Sequence, residues 1–433
     1  MKRRYARCVS GWQDEAISKA PQGKECTVKT ALEEAARIEE HIIAWRRHMH
    51  AHPEKGFDLP ATQAYVAEEL ARMGIEARPC GGPIPLEVVE KYERAGFGRM
   101  EQATGLVATI GQGSPCILLR ADYDALPLTE LADVPFKSTC EGLMHACGHD
   151  SHAAMLLGAA KILKEHEAEL KGTVKLMFQP GEEMGCGSKL MIDDGLLENP
   201  HVDAAFALHV MPDLERGRFF FAPDVASASM DTFIIQIQGK GGHSSMPNQT
   251  IDASMIATQL YTQLNLLMTR EADPRSMVTF SIGAVQAGTV TNIIPDSAVL
   301  QGNMRTLSKA DRDHLVERIP EMIDGIVRAW RGSYHLDFFS TPTTMNDPAF
   351  IGEVVPSLAD VVGEDNVVRW QPLSGTEDFS YVSQAVPSLF MQLGTGGAYP
   401  VHNPHMTLDE SLFKLGCAAH VSVAMDWLAR RSA

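Results

Sequence analysis

Residues 145–178, HACGHDSHAAMLLGAAKILKEHEAELKGTVKLMF, decide the fold. From Ser151 to Glu165 the apolar positions Ala154, Leu157, Ala160 and Ile162 recur at helical spacing. Thr173–Phe178 then reads as a strand. Upstream, Leu106–Ile110 and Cys116–Leu119 read as strands. Downstream, Ser188–Asp193 reads as a short helix and Ala204–His209 as another strand. Helices alternating with strands imply an α/β fold, a central mixed sheet with helices on both faces. Sites in such sheets collect beyond the carboxyl ends of the strands. Asp122, Glu182, Glu183 and His209 each end or follow an apolar run of this kind.

Two amphipathic stretches, Leu32–His50 and about Ala61–Met73, read as helices ahead of the alternating region. Between residues 230 and 339 the rhythm changes. Phe233–Gln238, Asp252–Thr269, Met277–Ala284, Ala298–Arg305, Ala310–Trp330 and Tyr334–Phe339 read as β-α-β-β-α-β, the split βαβ sandwich of ferredoxin-like units. The expected division is an N-terminal extension (1–30), a main unit (31–226 and 340–433) and an inserted second unit (227–339). The segment Gly81–Thr104 opens with turn residues and then reads as a short helix. It stands where a tight loop would suffice, and long connections of this kind are often functional.

A chain of 433 residues exceeds one ordinary core. Its formal net charge of -17 speaks against nucleic-acid and anionic-membrane partners, which need basic surfaces. No apolar run approaches the ~20 residues of a membrane span. The basic N-terminus MKRRYARCVSGWQDE lacks the apolar core of a signal peptide, so a cytoplasmic location is expected. The eight cysteines show no CxxC spacing. Cys147 stands apart from the others because of its neighbours.

Cys147 and His149 offer a thiolate and an imidazole two residues apart at a helix mouth, where the positive dipole end favours thiolate. A cysteine nucleophile with a histidine base is the rival reading, but that spacing is awkward and leaves the glutamate pair without a role. Adjacent Glu182 and Glu183, after a strand, point in different directions, so one can bind metal while the other faces substrate. His209 ends a strand, and His402 lies in the constrained loop Tyr399-Pro400-Val401-His402-Asn403-Pro404. Each group alone has an ordinary explanation: a buried thiol, a solvated acidic pair, a core histidine, a loop histidine. Four such coincidences are less economical than one shared site. Asp122 is expected to orient a ligand histidine through its second nitrogen. The glycines around His243 (GKGGHSS) match neither GxGxxG nor the Walker pattern, and read better as a bend that carries His243 towards a substrate.

Taken together, RRHMHAHPE, RADYDALP, HACGHDSHAAMLLGAA, FQPGEEMG, the His209 strand end, GKGGHSSMP, AGTVTNIIPD, SGTEDFS and VHNP resemble the metallopeptidase-like amidohydrolases. These include hippurate hydrolase, the aminoacylases, the indole-acetyl-amino-acid hydrolases and the aminobenzoyl-glutamate hydrolase. The resemblance runs from about Trp45 to Trp427. It implies two divalent ions per chain, with Cys147, His149, Glu183, His209 and His402 as ligands and Cys147 a candidate bridge. It also implies Glu182 as general base, Asn292 and Arg305 as holders of a substrate carboxylate, and His243 as oxyanion support. Manganese or zinc is expected, with cobalt or nickel as alternatives. A homodimer or higher homo-oligomer through the inserted unit is implied as well. The Gly81–Thr104 stretch and the N-terminal extension depart from the family pattern, as does Gly181 where an alanine is usual.

The expected reaction is hydrolysis of the amide bond of an N-acyl or N-aroyl amino acid by metal-activated water, on a small substrate with a free carboxylate. Two other readings stand beside it: release of ammonia from an aromatic or unusual amine, and an inactive small-molecule-binding protein on the same scaffold.

Overall fold

Four strands of nearly unbroken apolar sequence form the centre of the molecule. In the computed structural model, which describes residues 28–431, Thr173–Gln179, Cys116–Asp122, Ala204–Met211 and Ser388–Gly394 lie side by side in that order, all parallel. Parallel strands buried on both faces need no polar alternation, which explains their composition. The sheet has eight strands. Gly105–Gly111 and Ala77–Cys80 extend it antiparallel beyond Thr173–Gln179, and the short strands Phe219–Phe221 and Val367–Arg369 extend it at the other edge. The expected mixed α/β sheet is therefore present. The proposed 1–30 extension, with Cys8 and Cys26, lies almost wholly outside the described residues.

Alternate side chains of the central strands feed two cores. Ile117, Leu119, Leu176, Phe206 and Leu208 pack under a helical layer that includes His149–Glu165 and Phe413–Arg431. Leu118, Met177, Ala205 and Phe390 face the opposite way, onto Gly187–Asp193 and Ser380–Ala385. The helix His149–Glu165 is buried on nearly every side. It begins two residues earlier than its periodicity suggests, because Gly148 adopts a left-handed backbone (φ 86°) as its N-cap. A Cβ at Gly148 would lie 2.6 Å from Val210 Cγ2, so only glycine fits there.

The single helix expected over Leu32–His50 is in fact two, Val28–Arg37 and Glu39–Ala51, broken at Ile38 (φ -107°, ψ 12°). The break lets the first piece pack on Phe413–Arg431 and the second on His149–Glu165, which one straight rod could not do. Gly81–Thr104 contains the expected short helix, Leu86–Arg94.

A second sheet stands apart with its own core. Its four strands run in the order Val278–Ala287, Ser297–Thr306, Met230–Gln238, Ser333–Thr341, every pair antiparallel. The helices Ala253–Glu271 and Lys309–Ala329 bury Leu260, Leu264, Leu315 and Ile319 against Phe233, Ile235 and Leu300 of this sheet. Asp252 caps the first helix by accepting from the N–H groups of Ser254 and Met255, and Ser308 caps the second through Asp311 N–H. The chain order is the β-α-β-β-α-β expected from sequence.

One buried charge holds the central sheet to its flanking loop. Lys175 Nζ, on the strand Thr173–Gln179, donates to the carbonyls of Leu196 (2.9 Å), Glu198 (2.9 Å) and Pro200 (2.7 Å). Lys175→Met keeps much of the volume and leaves those carbonyls without a donor. We expect a loss of about 2–4 kcal/mol, read in urea as a lower midpoint at unchanged slope.

Candidate metal centre

The carboxyl ends of the four parallel strands lie next to one another, so the loops that leave them converge. Cys116–Asp122 runs on to Asp124, Thr173–Gln179 to Glu182 and Glu183, Ala204–Met211 carries His209 near its end, and Ser388–Gly394 leads to the loop of His402. Cys147 lies just before, and His149 at, the start of the helix His149–Glu165, which packs on one face of this sheet.

The structure brings all five expected ligands together. Ligand atoms of Cys147, His149 and His209 lie within 4.8 Å of one another, as do those of Cys147, Glu183 and His402. The two sets share Cys147, the arrangement a bridging thiolate requires. His209 Nδ1 donates to Val210 O (2.6 Å), which leaves the Nε2 lone pair aimed at Cys147 Sγ, 3.4 Å away. His149 Nδ1 donates to Asp124 Oδ1 (3.2 Å), while its buried Nε2 has no hydrogen-bond partner. His402 Nε2 lies 3.1 Å from Glu183 Oε1. His402 is one of the non-glycine residues with positive φ (62°), and its N–H donates to Ala146 O (2.7 Å). Backbone held in that region costs energy and persists where the surroundings enforce it.

Asp122 needs correction. Its Oδ1 accepts from His152 Nδ1 (2.6 Å), and His152 Nε2 accepts from Val210 N–H (2.9 Å), so neither nitrogen of His152 is free for a cation. The carboxylate that orients His149 is Asp124, which sequence reasoning quoted within RADYDALP without giving it a role. Asp124 also accepts the backbone N–H groups of Glu182 and Glu183, each at 3.1 Å. Glu377 and Asp378, in SGTEDFS, went unread as well. Asp378 N–H approaches Glu182 Oε1 at 3.4 Å, and the buried Arg120 pairs with Asp122 (2.8 Å), Glu377 (2.8 Å) and Asp378 (3.4 Å). An arginine in the middle of a strand was the available signal.

The electrostatics fit cations. Burial, followed by the charge of Glu183, pushes the Cys147 thiol up, which overrides the expected help from the helix end. A thiolate here calls for a positive ion beside it. Burial and then His152 hold His209 well below the usual histidine range, in the neutral form that ligates. Burial, then Glu377 and Glu183, raise the Glu182 carboxyl well above its ordinary range. Bonds to Cys147 and Glu183 push His402 up to about 10. Donors of this chemistry, with an orphaned imidazole nitrogen among them, suit a divalent pair.

Four of the donors, Cys147, Glu183, His209 and His402, line a cavity of about 300 Å³ together with Glu182, the apolar Met211, Met230, Leu373, Phe390 and Val401, and the polar Arg305, Thr376, Glu377 and Asp378. His243 and Asn292 do not line it. They sit side by side on the second unit, where His243 pairs with Ile293 and Ser244 N–H donates to Asn292 O (3.1 Å).

Residues 118–426 match Peptidase family M20/M25/M40. The chain is 37% identical to the IAA-amino acid hydrolase ILR1-like 4 of Arabidopsis thaliana, an alignment that covers 89% of this chain and 86% of that protein. It is 33% identical to the N-acetyl-L-cysteine deacetylase of Bacillus subtilis, over 86% of this chain and 85% of the relative. Among solved structures, the Bacillus subtilis YXEP protein, described as a dinuclear metal binding peptidase from the M20 family, superposes with a TM-score of 0.71 at 30% identity, over 91% of this chain and 99% of that one. With more than half of the chain matched by the family's pattern, and a relative 37% identical over 89% of it, the chain belongs to Peptidase family M20/M25/M40.

Proposed function

We propose that this protein is a metal-dependent amidohydrolase that cleaves the amide bond of N-acyl amino acids, with Cys147, His149, Glu183, His209 and His402 holding two divalent ions. The observation that carries this reading is the pair of donor sets sharing Cys147, with Glu182 beside them. The relatives named for hydrolysis of IAA-amino acids and N-acetylcysteine support the substrate class. Manganese or zinc suits the site, and cobalt or nickel would also be accepted by thiolate and imidazole.

When bound, the ions would supply Lewis-acid activation of water and of the scissile carbonyl. The residues do the rest. Glu182, ionised in the loaded site, takes the proton of the attacking water and delivers it to the departing amine nitrogen. Asp378 N–H, near Glu182 Oε1, keeps that carboxylate turned towards the cavity. The apolar walls receive the acyl group and exclude bulk water. Arg305, half-buried, bonds Thr376 Oγ1 (2.8 Å) and, among the described residues, forms no ion pair, which leaves its charge available to the substrate carboxylate. His243 and Asn292 would complete the oxyanion and carboxylate contacts on closure of the 227–339 unit over the cavity. The same unit is the proposed contact in a homo-oligomer, since the strand Val278–Ala287 forms one edge of its sheet.

Glu182→Gln is expected to retain both metals by elemental analysis and to lose about 10²–10⁴ in turnover; near-normal turnover would remove Glu182 as the base. Asp124→Ala should weaken metal affinity about 10–100-fold by calorimetric titration, because it releases His149 and the glutamate turn together. For Arg305→Ala, KM should rise about tenfold or more for N-acyl amino acids, with far less change for their carboxamides. An equal loss on both series would detach Arg305 from carboxylate recognition. Ammonia rather than free acid among the products would replace amide cleavage by deamination.

A further inference from the structure

The helix Leu86–Arg94 of the Gly81–Thr104 segment touches both the glutamate turn and the second sheet. Tyr92, 6% exposed, donates its hydroxyl to Met184 O at 2.6 Å, one residue beyond Glu183. Its ring meets Phe57 edge-on at 5.2 Å and Phe339 at 5.1 Å. Phe57 in turn presses on the residue before the glutamates. A Cβ at Gly181 would lie 2.4 Å from Phe57 Cδ1, and Gly181 has φ 65°, so a side chain is excluded there twice over. Phe57 is itself gripped by the far end of the same segment, for Thr104 N–H and Thr104 Oγ1 both donate to Phe57 O at 3.0 Å. The two departures noted in the sequence, the Gly81–Thr104 stretch and Gly181, thus belong to one packed column.

The other side of the helix is fastened to the second sheet. Arg94 makes a two-point contact with Asp337, Nη2 to Oδ1 at 2.7 Å and Nε to Oδ2 at 3.3 Å. Lys91 Nζ donates to Phe338 O and stands 4.0 Å from the centroid of the Phe339 ring. At the end of the same strand, Thr341 Oγ1 donates to Gly185 O (2.8 Å). Consecutive carbonyls of the turn, those of Met184 and Gly185, are therefore held by the helix and by the second-sheet strand. A segment that only filled space would have no reason to bond either.

We propose that Tyr92 is a positioning residue for the turn that carries Glu182 and Glu183, and that the Gly81–Thr104 segment is a strut which, through Lys91 and Arg94, links the pose of the second sheet to the pose of those two carboxylates. The proposal rests on the reading of Glu182 as base and Glu183 as ligand. A shift of the strand Ser333–Thr341 would reach the glutamates by two routes, Thr341 to Gly185 and Arg94 through Tyr92 to Met184. Substrate that closes the second unit would thereby set the carboxylates as well as cover them.

The test uses the full chain and three variants, Tyr92→Phe, Lys91→Ala/Arg94→Ala and Gly181→Ala. They are followed by hydrogen exchange of peptides spanning 181–187 and 333–341, by Co²⁺ titration with its absorption spectrum, and by kinetics on N-acyl amino acids. Tyr92→Phe removes only the hydroxyl, and should speed exchange in 181–187 about fivefold. It should also weaken Co²⁺ binding and lower kcat about tenfold with KM unchanged. Gly181→Ala pushes on the turn from the Phe57 side and should give the same signature, so the proposal does not hang on one variant. The double variant should speed exchange in both 333–341 and 181–187 although Tyr92 is intact. Wild-type exchange at 181–187 and wild-type Co²⁺ spectra in Tyr92→Phe and Gly181→Ala would overturn the positioning role. Faster exchange confined to 333–341 in the double variant would overturn the linkage. If the wild-type chain hydrolyses no N-acyl amino acid while these exchange and Co²⁺ changes appear, the strut stands and the proposed reaction falls.

Discussion

The Asp124 carboxylate is the fixed point of the site. One oxygen accepts the His149 ring and the N–H of Glu182, and the other accepts the N–H of Glu183. A buried carboxylate with three donors has little freedom, and neither do the donors. Three groups distant in the chain, a strand end, a helix start and a turn, are thereby held in one frame. The orphaned His149 nitrogen and the glutamate side chains point where they do because this anchor leaves them no alternative.

Around that anchor the protein concentrates charge at a depth where charge is costly. Arg120 answers three carboxylates from the middle of a strand, while Glu182, Glu377 and Asp378 crowd together beside it. Removing one partner from such a group leaves another buried charge uncompensated, which is usually worse than never having built the pair. The surplus of negative charge on the cavity side has a plain sense if cations complete it. The network is then balanced only in the loaded protein.

Much of this was legible in the residues. Thr173–Gln179 and Ala204–Met211 announce themselves as apolar runs, and the β-α-β-β-α-β order of the second unit follows from periodicity alone. Cys147 and His149 at a helix start, the glutamate pair after a strand, and His209 and His402 stood out by residue type and setting, whereas the choice of Glu183 over Glu182 as ligand came from the family resemblance. What escaped depended on direction rather than identity. Asp122 and Asp124 lie two apart on an extended chain, and only the pleat and the turn beyond it decide that one faces His152 and the other His149. The break at Ile38 is set by two packing partners that sit more than a hundred residues away. His243 and Asn292 stand on the second unit, outside the cavity lining, and no local pattern encodes where that unit sits. Gly181 could be seen as unusual, but its reason is Phe57, and the reason for Phe57 is Tyr92.

The two donor sets differ in their access to water. His149 is fully sealed and His209 nearly so, whereas His402 is 52% exposed on a loop that reaches the surface. An ion held between His149 and His209 would meet water only from the cavity, while one leaning on His402 would also face the surface. A chelator would therefore reach the position beside His402 more readily than the one between His149 and His209.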